Sequence, residues 1–390
     1  MKIRSRSKSK WFPFFVVLAI VFIPAAAVVT TIAADRLGYC VNDIFPGESG
    51  MNADPYVQNV GTSSASIVWR TTTDREATLR YQVDGSEREV LMEAAKLQAT
   101  TLTGLTPATT YDYTVERELA EFKGSFTTAP EADGDVRFAV IGDSGTGSQA
   151  QYAIAAGLAG ADPDLVLHTG DVVYRRGALC HYGTKFFAPY RTLIADVPVY
   201  PTIGNHDLMA SDGRAYFETF VLPENNTART EAYYAFNYGP VHVVSVSSEF
   251  YAAGDDAAIA EQRAWLEADL AANELPWTIV LLHRPPYSST GGKSSEDVRQ
   301  DLVPVFAGHQ VDLVLSGHAH NYERSTAVDG VTYIVTGGGG ADLRDLEPSD
   351  TTAVAVKAHH FVLIDASPGG LTVTAINDES QVIDQVELPG

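Results

Sequence analysis

The sequence predicts an α/β region built as a two-layer β-sandwich flanked by helices, with a small all-β sandwich ahead of it. From Val136 onward, strand-like and helix-like segments alternate along the chain, which is typical of α/β folds. Residues 55–130 instead contain short β-branched and aromatic runs separated by turn residues, and this rhythm indicates an all-β sandwich. A length of 390 residues is also too great for one compact domain.

The composition narrows the class of protein. Hydrophobic residues make up 45% of the chain and aromatic residues 10%, so full hydrophobic cores can form and global disorder is excluded. The 49 Asp and Glu residues against 27 Lys and Arg residues give a net charge of -22, and such a surface repels phosphate backbones, so we expect no nucleic-acid binding. The two cysteines, Cys40 and Cys180, are too few for a thiolate zinc site. They either pair with each other or remain buried thiols.

Residues 1–34 have the composition of an export segment. A run of basic side chains comes first, and residues 11–34 are uncharged and mostly apolar, a pattern that directs a chain into a membrane. The apolar run is long enough to cross a bilayer and ends in small residues, so it is either a membrane anchor or a cleaved signal peptide. In both cases we expect the rest of the chain to be extracytoplasmic: secreted, periplasmic or tethered to the cell surface. Residues 35–54 are then a linker.

The first predicted sandwich has strand-like runs at 66–69, 78–81, 99–102 and 111–115. The stretch 105–111, which ends in Tyr111, resembles the corner of fibronectin type III domains, where a Tyr hydroxyl bonds to upstream backbone. Residues 124–128 resemble the last strand of such a module. The resemblance implies a fibronectin type III-like domain over 55–130, with Trp69 and Tyr111 in its core rather than in a binding site.

The second region is predicted to alternate strands and helices. We predict strands at 137–141, 164–169, 197–203, 277–282 and 311–315 and helices at 149–159, 185–195, 259–272 and 296–306. Three later strand-like segments have no helices between them, which suggests a closing β layer: 331–336, 361–365 and 371–376. In sheets of this type, ligands bind at the carboxyl ends of the strands.

A cluster of polar and glycine residues follows each of the five early strands. In chain order the clusters contain Asp143, then Asp171 with Tyr174, then Asn205 with His206, then His283, and then His318 with His320. A single Asp or His at a strand end is usually a cap or turn residue, but five in order are poorly explained by chance, and we expect them to converge at one edge of the sheet. Apart from His206, the clusters supply three imidazoles, two carboxylates, an amide and a phenol, and this set of donors suits iron, zinc or manganese. Seven donors exceed the needs of one ion, so one carboxylate would bridge two metal ions.

This ordered set resembles that of the purple acid phosphatases, within the metallophosphoesterase superfamily. The resemblance extends over 136–390, includes the segments 261–266, 283–288, 321–324 and 333–340, and implies a dimetal catalytic domain there. A fibronectin-like domain ahead of it matches the larger, two-domain members. It implies that Fe(III) is held by Asp143, Asp171, Tyr174 and His320. It further implies that Asp171 bridges to a divalent iron, zinc or manganese ion held by Asn205, His283 and His318.

One detail separates this subfamily from its relatives. General metallophosphoesterases have a His two residues after the first Asp, where this chain has Gly145. Tyr174 stands three residues after the second Asp instead. A phenolate favours trivalent iron and would give the purple colour after which the family is named.

The predicted activity is that of an acid phosphatase acting on small phosphate monoesters. Two metal ions neutralise phosphoryl oxygens and lower the pKa of a water, which supplies hydroxide for in-line attack. His206 is the candidate to bind phosphate, together with Asn205, and to protonate the leaving group. Two alternatives remain: a phosphodiesterase or nucleotidase using the same site, and a surface binding protein with an inactive phosphatase domain. The complete set of candidate ligands argues against the second.

The sequence departs from the family pattern after His283. Plant-type members carry a His pair there for substrate binding, whereas this chain has Ser-Ser-Thr-Gly-Gly-Lys at 288–293. We predict Lys293 to be a solvated loop residue. The other histidines are predicted to have no ligand role, with His168 buried in its strand.

Overall fold

The computed structural model describes residues 40, 51–118 and 120–388. The predicted export segment, 1–34, and most of the predicted linker, 35–54, therefore lie outside the described residues. Within the part of the chain that is described, no helix is both long enough and apolar enough to cross a membrane. Cys40 and Cys180 are both disulfide-bonded, so neither is a free thiol.

The first described region is a small all-β domain, as predicted. Its strands are β1 (Ala53–Gln58), β2 (Ser64–Val83), β3 (Ser86–Thr103), β4 (Thr110–Arg117) and β5 (Ala120–Thr127). All their pairings are antiparallel.

Strand β2 is one long strand where the sequence predicts two. Its first part pairs with β1 and its last part with β4, and its register with β3 shifts between Arg70 and Ala77. Such an irregularity bends and twists a strand, which lets β2 change partners without ending. The predicted corner is present as well, because the Tyr111 hydroxyl accepts a hydrogen bond of 2.8 Å from the backbone N–H of Thr106.

The second region contains two sheets. Its strands are β6 (Val136–Ile141), β7 (Leu165–His168), β8 (Val199–Pro201), β9 (Tyr234–Tyr238), β10 (Val241–Ser245), β11 (Trp277–Leu282), β12 (Leu313–Ser316), β13 (Tyr322–Ser325), β14 (Thr332–Thr336), β15 (Thr352–Val356), β16 (His360–Ser367), β17 (Gly370–Asn377) and β18 (Val382–Leu388). The first sheet has the order β18-β17-β16-β6-β7-β8, and the second has the order β15-β13-β14-β12-β11-β10-β9. The strands β6-β7-β8 are parallel, and so are β10-β11-β12-β14.

The three late segments do not form a separate closing layer. The predicted strand 331–336 is β14, inside the second sheet, whereas 361–365 and 371–376 are β16 and β17 of the first sheet. Strand β16 pairs antiparallel with β6. An alternating apolar pattern predicts a strand but does not say which strand it pairs with, so this part of the prediction was wrong.

The helices are α1 (Gln149–Gly160), α2 (Leu179–Tyr182), α3 (Ala188–Ile194), α4 (Asn205–Leu208), α5 (Arg214–Thr219), α6 (Glu249–Ala253), α7 (Asp256–Ala272) and α8 (Glu296–Gly308). Helix α1 begins where the Ser148 hydroxyl accepts the N–H of Gln151, and α7 begins where Asp255 accepts that of Ala258. The predicted helix 185–195 is a π-helical segment, Gly183–Phe187, followed by α3.

Strand β11 shows why the layers stack as they do. Ile279 and Leu281 belong to an apolar core to which both sheets contribute, whereas the alternate residues Val280 and Leu282 belong to a second apolar cluster with residues of α7 and α8. Since successive side chains of a strand point to opposite faces, β11 packs against the other sheet on one face and against helices on the other. This is the predicted β-sandwich flanked by helices.

Buried tyrosines fix the all-β domain against the α/β region. The Tyr56 hydroxyl donates to the carbonyl of Thr219 at 2.7 Å, and the Tyr200 hydroxyl of β8 donates to that of Val60 at 2.9 Å. Both rings are almost completely buried, and a buried hydroxyl needs such a partner. The all-β domain thereby holds β8, the strand that leads to Asn205.

Candidate metal centre

The polar residues singled out in the sequence come from the ends of strands in both sheets. In the first sheet, Asp143 follows β6, Asp171 follows β7, and Asn205 follows β8; in the second sheet, His283 follows β11 and His318 follows β12. The sequence predicts convergence at one edge of a single sheet. The side chains do converge, but the carboxyl ends of two sheets supply them.

Backbone geometry brings these residues close together. Asp143, Asp171 and His318 have φ of +55°, +54° and +66°, in the left-handed region that residues other than Gly rarely adopt. The chain thus turns sharply just after each strand. A Cβ at Gly204 would lie 2.3 Å from the backbone nitrogen of Asp171, so only glycine allows these two turns to approach.

The first group of candidate ligands surrounds the Tyr174 hydroxyl. Its oxygen lies 2.8 Å from Asp143 Oδ1, 3.0 Å from Asp171 Oδ2 and 3.1 Å from His320 Nε2. His320 Nδ1 lies 2.8 Å from the carbonyl oxygen of Asp342, which can only accept, so Nε2 of the neutral ring is an acceptor too. One phenol proton cannot satisfy three acceptors. A cation among them can.

The second group surrounds His283 Nε2. This nitrogen lies 3.3 Å from Asn205 Oδ1, 3.4 Å from Asp171 Oδ2 and 3.2 Å from His318 Nδ1. His283 Nδ1 faces the carbonyl oxygen of Thr169 at 2.8 Å, which leaves the Nε2 lone pair free for a metal ion. Asp171, His283 and His318 each offer one potential ligand atom, and these three atoms lie within 4.8 Å of one another.

The Asp171 carboxylate joins the two groups. Its Oδ2 lies beside both Tyr174 Oη and His283 Nε2, while its Oδ1 accepts the backbone N–H of His206 at 2.7 Å. Asp143 is held in the same manner, since its Oδ2 accepts the N–H of His318 at 2.8 Å. Each carboxylate therefore keeps one oxygen fixed by backbone and the other available to a metal ion.

The electrostatics of the buried site favour cations. Burial alone would raise the pKa of Asp171, but with no metal ion bound, the charge and hydrogen bond of a protonated His283 hold that pKa below its usual range. A metal ion on Nε2 would take the place of that proton. Burial, followed by the charges of Asp143 and Asp171, raises the pKa of Tyr174 well above 10. The phenol can thus ionise only next to a strong cation. The residues fit a dinuclear metal centre.

His206 lies beside the two groups of candidate ligands and belongs to neither. Its Nδ1 bonds to the carbonyl oxygen of Arg175, and its ring centroid lies 4.5 Å from that of Tyr174. Nε2 lies 3.9 Å from Asp171 Oδ2, and 28% of the side chain is exposed. Because Nδ1 must donate to the carbonyl, Nε2 is the nitrogen free to meet a substrate.

Asp207 is a site residue for which no role was predicted from the sequence. Its fully buried carboxylate accepts the N–H of Val172 at 2.9 Å through Oδ1 and that of Gly204 at 3.0 Å through Oδ2. It thereby ties the turn after β7 to the turn after β8. Burial, and then the charge of Asp171, raises the pKa of Asp207 to about 8. The signal in the sequence that could have identified Asp207 as a site residue was its position directly after His206.

The prediction that Lys293 is a solvated loop residue was wrong. The Lys293 ammonium lies 3.2 Å from His318 Nε2. Arg284, which the sequence did not single out, also reaches this ring, with Nη1 at 3.4 Å from Nε2. The Arg284 guanidinium is paired with both carboxylate oxygens of Glu249, at 2.8 and 3.0 Å.

The buried histidine of β7 supports the turns without joining the site. His168 Nε2 lies 2.9 Å from Ser144 Oγ, and its Nδ1 accepts the N–H of Gly170 at 3.2 Å. These bonds use both ring nitrogens, so the ring holds the turns after β6 and β7 together.

Gly145, two residues after Asp143, has no room for a side chain. A Cβ at this position would lie 1.9 Å from the carbonyl oxygen of Val172 and 2.7 Å from the Cα of Val173. The N–H of Tyr174 also donates to the Gly145 carbonyl at 2.8 Å. The backbone that carries Tyr174 therefore occupies the space that a side chain at 145 would need.

Removal of metal should destabilise the folded chain. The buried carboxylates of Asp143 and Asp171 repel each other, so we expect chelator-treated protein to unfold several degrees below protein reloaded with iron and zinc. Ligand at a hundredfold excess over Kd stabilises a fold by about 2.7 kcal/mol, and about 2–4 °C accompanies each kcal/mol in larger domains. Differential scanning calorimetry measures the shift. Equal melting temperatures would contradict a metal centre.

Comparison with known proteins agrees with this geometry. Residues 136–322 match the calcineurin-like phosphoesterase family. The solved structure of purple acid phosphatase PPD1 from yellow lupin (Lupinus luteus) seeds is 21% identical and has a TM-score of 0.75, over 87% of this chain and 74% of that chain. At this identity the likeness shows a shared fold.

Two relatives are purple acid phosphatases of Arabidopsis thaliana. Purple acid phosphatase 15 is 30% identical over 284 residues, which cover 61% of this chain and 52% of that protein. Purple acid phosphatase 23 is 26% identical over an aligned length of 395 residues, and the alignment covers 87% of this chain and 81% of that protein. The chain spans about half the length of several curated relatives that it matches. The chain therefore contains a calcineurin-like metallophosphoesterase domain, and its relatives include purple acid phosphatases.

Proposed function

We propose that this protein is a purple acid phosphatase that hydrolyses small phosphate monoesters at a dinuclear centre of Fe(III) and a divalent metal ion. The observation that carries the proposal is the Asp171 carboxylate, whose Oδ2 is shared by two groups of acceptors. Only the first of these groups contains a phenol, Tyr174. A hard anionic ligand on one side alone favours unlike metal ions at the two positions.

The proposed ligand assignment follows the two groups. The trivalent ion is held by Asp143, Asp171, Tyr174 and His320, and the divalent ion by Asp171, Asn205, His283 and His318. When bound, the pair supplies Lewis-acid activation of the phosphoryl group and of the attacking water.

His206 is the proposed proton donor. Its Nδ1 is held by the Arg175 carbonyl, so the proton passed to the leaving oxygen is the one on Nε2. Asp171 Oδ2 lies 3.9 Å from that nitrogen. A positioned acid of this kind contributes about 10²–10⁴ in rate.

A visible absorption spectrum of protein expressed with iron is the direct test. We expect a broad purple band from phenolate bound to Fe(III), and we expect Tyr174→Phe to abolish it. The matched control is Tyr152→Phe, since Tyr152 is 46% exposed, and this variant should keep the band. A colourless wild-type protein with two bound metal ions would contradict the purple assignment while leaving a metallophosphoesterase.

The monoester proposal needs its own measurement. We expect turnover of phenyl phosphate to exceed that of bis-phenyl phosphate on the same preparation. Faster hydrolysis of the diester would make the protein a phosphodiesterase that uses the same ligands.

The proposed place of action is outside the cytoplasm. The support is the basic and then apolar sequence of residues 1–34. Fractionation of expressing cells should find the activity in the medium, in the periplasm or on the outer face of the membrane. Activity confined to the cytosol would contradict this proposal alone.

A further inference from the structure

The hydrogen-bonded ladder between β6 and β7 ends before the candidate ligands begin. The last paired residues of these two parallel strands are Ile141 and His168. Asp143 and Asp171 both lie beyond that pair. The ladder therefore fixes where the two strands end, but it does not fix how far apart the two carboxylates lie. That spacing matters because the proposed trivalent ion is held by both carboxylates.

A buried side-chain bridge joins the two turns beyond the ladder. His168 Nδ1 faces the backbone N–H of Gly170 at 3.2 Å, and His168 Nε2 lies 2.9 Å from Ser144 Oγ. An amide N–H can only donate, so Nδ1 accepts, and the proton of the neutral ring is on Nε2 and is donated to Ser144. The side chains of His168 and Ser144 are fully buried. The bridge thus connects the residue directly after Asp143 with the residue directly before Asp171.

Gly170 is the point where the turns of the site meet. Its carbonyl accepts the N–H of Asp143 at 3.0 Å, and its own N–H is the group that His168 holds. A Cβ at Gly170 would lie 2.7 Å from His283 Nδ1 and 3.1 Å from the Cα of Gly204. The turn after β7 therefore packs directly against the end of β11 and against the turn after β8. A displacement of Gly170 would reach ligands of both proposed metal positions.

The place of the bridge indicates what it does. The pairing of β6 with β7 holds the strands without any help from the two side chains. The bond between His168 and Ser144 acts only beyond the last pair, where the ligands stand. Groups that orient metal ligands are needed wherever the ligands themselves are not fixed by regular structure.

We propose that His168 and Ser144 are positioning residues for the metal centre, because the bond between His168 Nε2 and Ser144 Oγ sets the distance of Asp143 from Asp171. This inference rests on the proposed dinuclear function and deepens it. Each of the two side chains acts through the ligand beside it. The trivalent position depends on this bond most directly, because Asp143 and Asp171 are both among its proposed ligands.

The test measures the affinities for iron and zinc by competition with a chelator on the metal-loaded protein. Ser144→Ala removes the acceptor of the bond and leaves Gly170 held by His168. We expect iron to bind about tenfold more weakly in this variant and zinc affinity to change less than about threefold. We also expect the phenolate–Fe(III) absorption band to shift, because Tyr174 binds the same ion as Asp143.

His168→Phe is the stronger variant, because it also removes the acceptor of the Gly170 N–H. Iron and zinc should then both bind about tenfold more weakly or worse. The double variant, Ser144→Ala with His168→Phe, should bind iron no more weakly than His168→Phe alone. Substitutions that remove the same bond are not additive. If His168→Phe does not fold, Ser144→Ala decides the question, since it is the smaller change.

Thr128→Val is the matched control for the loss of a buried hydrogen bond. Thr128 is fully buried in the all-β domain, where its hydroxyl donates to the carbonyl of Thr106 at 2.6 Å. This variant should melt at a lower temperature and bind both metals with wild-type affinity. The same result in Ser144→Ala, with an unshifted absorption band, would reduce the bridge to a part of the fold and overturn the proposal.

Two other results would also overturn the proposal. Equal losses of iron and zinc affinity in Ser144→Ala would show that the bond does not act through Asp143. Losses of iron affinity that multiply in the double variant would show that His168 and Ser144 act separately. Failure of the proposed function is distinguishable from all of these, because a wild-type protein that binds no metal shows it before any variant is compared.

Discussion

Asp171→Ala is expected to remove both metal ions together and to bring turnover to background. The Oδ2 atom of Asp171 faces both acceptor groups, so its loss takes a ligand from each position. Changes to residues that only orient ligands cost about 10–100-fold in metal affinity, and the loss of a shared ligand should cost more than that. Elemental analysis of the purified variant gives the metal content directly.

Asp345→Ala is the matched control for this variant. Asp345 is 95% exposed and pairs with Lys357 on the surface, so the control should bind both ions and turn over at the wild-type rate. Wild-type activity in Asp171→Ala would refute the bridging assignment. Loss of one ion with the other retained would show that Asp171 serves a single position.

His206→Ala should keep both metal ions and lose about 10²–10⁴ in kcat. The metal ions are retained because the contact between His206 and Asp171 Oδ1 comes from the backbone N–H, which alanine also supplies. The measurement is kcat together with metal content on one preparation. His309→Ala, at the end of α8, is the control and should match wild type.

The leaving group distinguishes acid catalysis by His206 from a purely structural role. Alkyl phosphates need a proton on the departing oxygen, whereas 4-nitrophenyl phosphate releases a stable anion. His206→Ala should therefore slow alkyl phosphates by a larger factor than 4-nitrophenyl phosphate. An equal loss on both would remove the proton-donor role from His206.

The sequence predicted the long, regularly patterned elements well. The predicted strand 277–282 is β11, and the predicted helix 296–306 lies within α8. Strand β13 was missed because its polar residues hide the apolar alternation: Glu323 holds the Lys293 loop, and Arg324 pairs with Asp384 at 2.6 Å. A polar residue with a buried partner looks like a loop residue when only the sequence is read.

The convergence of the candidate ligands was also predictable, for a local reason. Each stands directly after an apolar strand, and chain order alone brings strand ends together. The positions of Lys293 and Arg284 were not predictable in this way. The loop of Lys293 is placed by the hydrogen bond from Ser289 to Glu323, and Arg284 is placed by Glu249 on the short helix α6. Each of these two contacts joins residues more than 30 positions apart.

The crowding at Gly145 opposes a direct exchange of Tyr174 for a histidine at 145. Such a change looks like an exchange of two side chains, but the backbone at Val172 already fills the place of the new Cβ. The crossing would require that backbone segment to shift, and one candidate metal ligand would be lost before the other is gained. Directed evolution that samples point mutations alone should fail to make the crossing for the same reason.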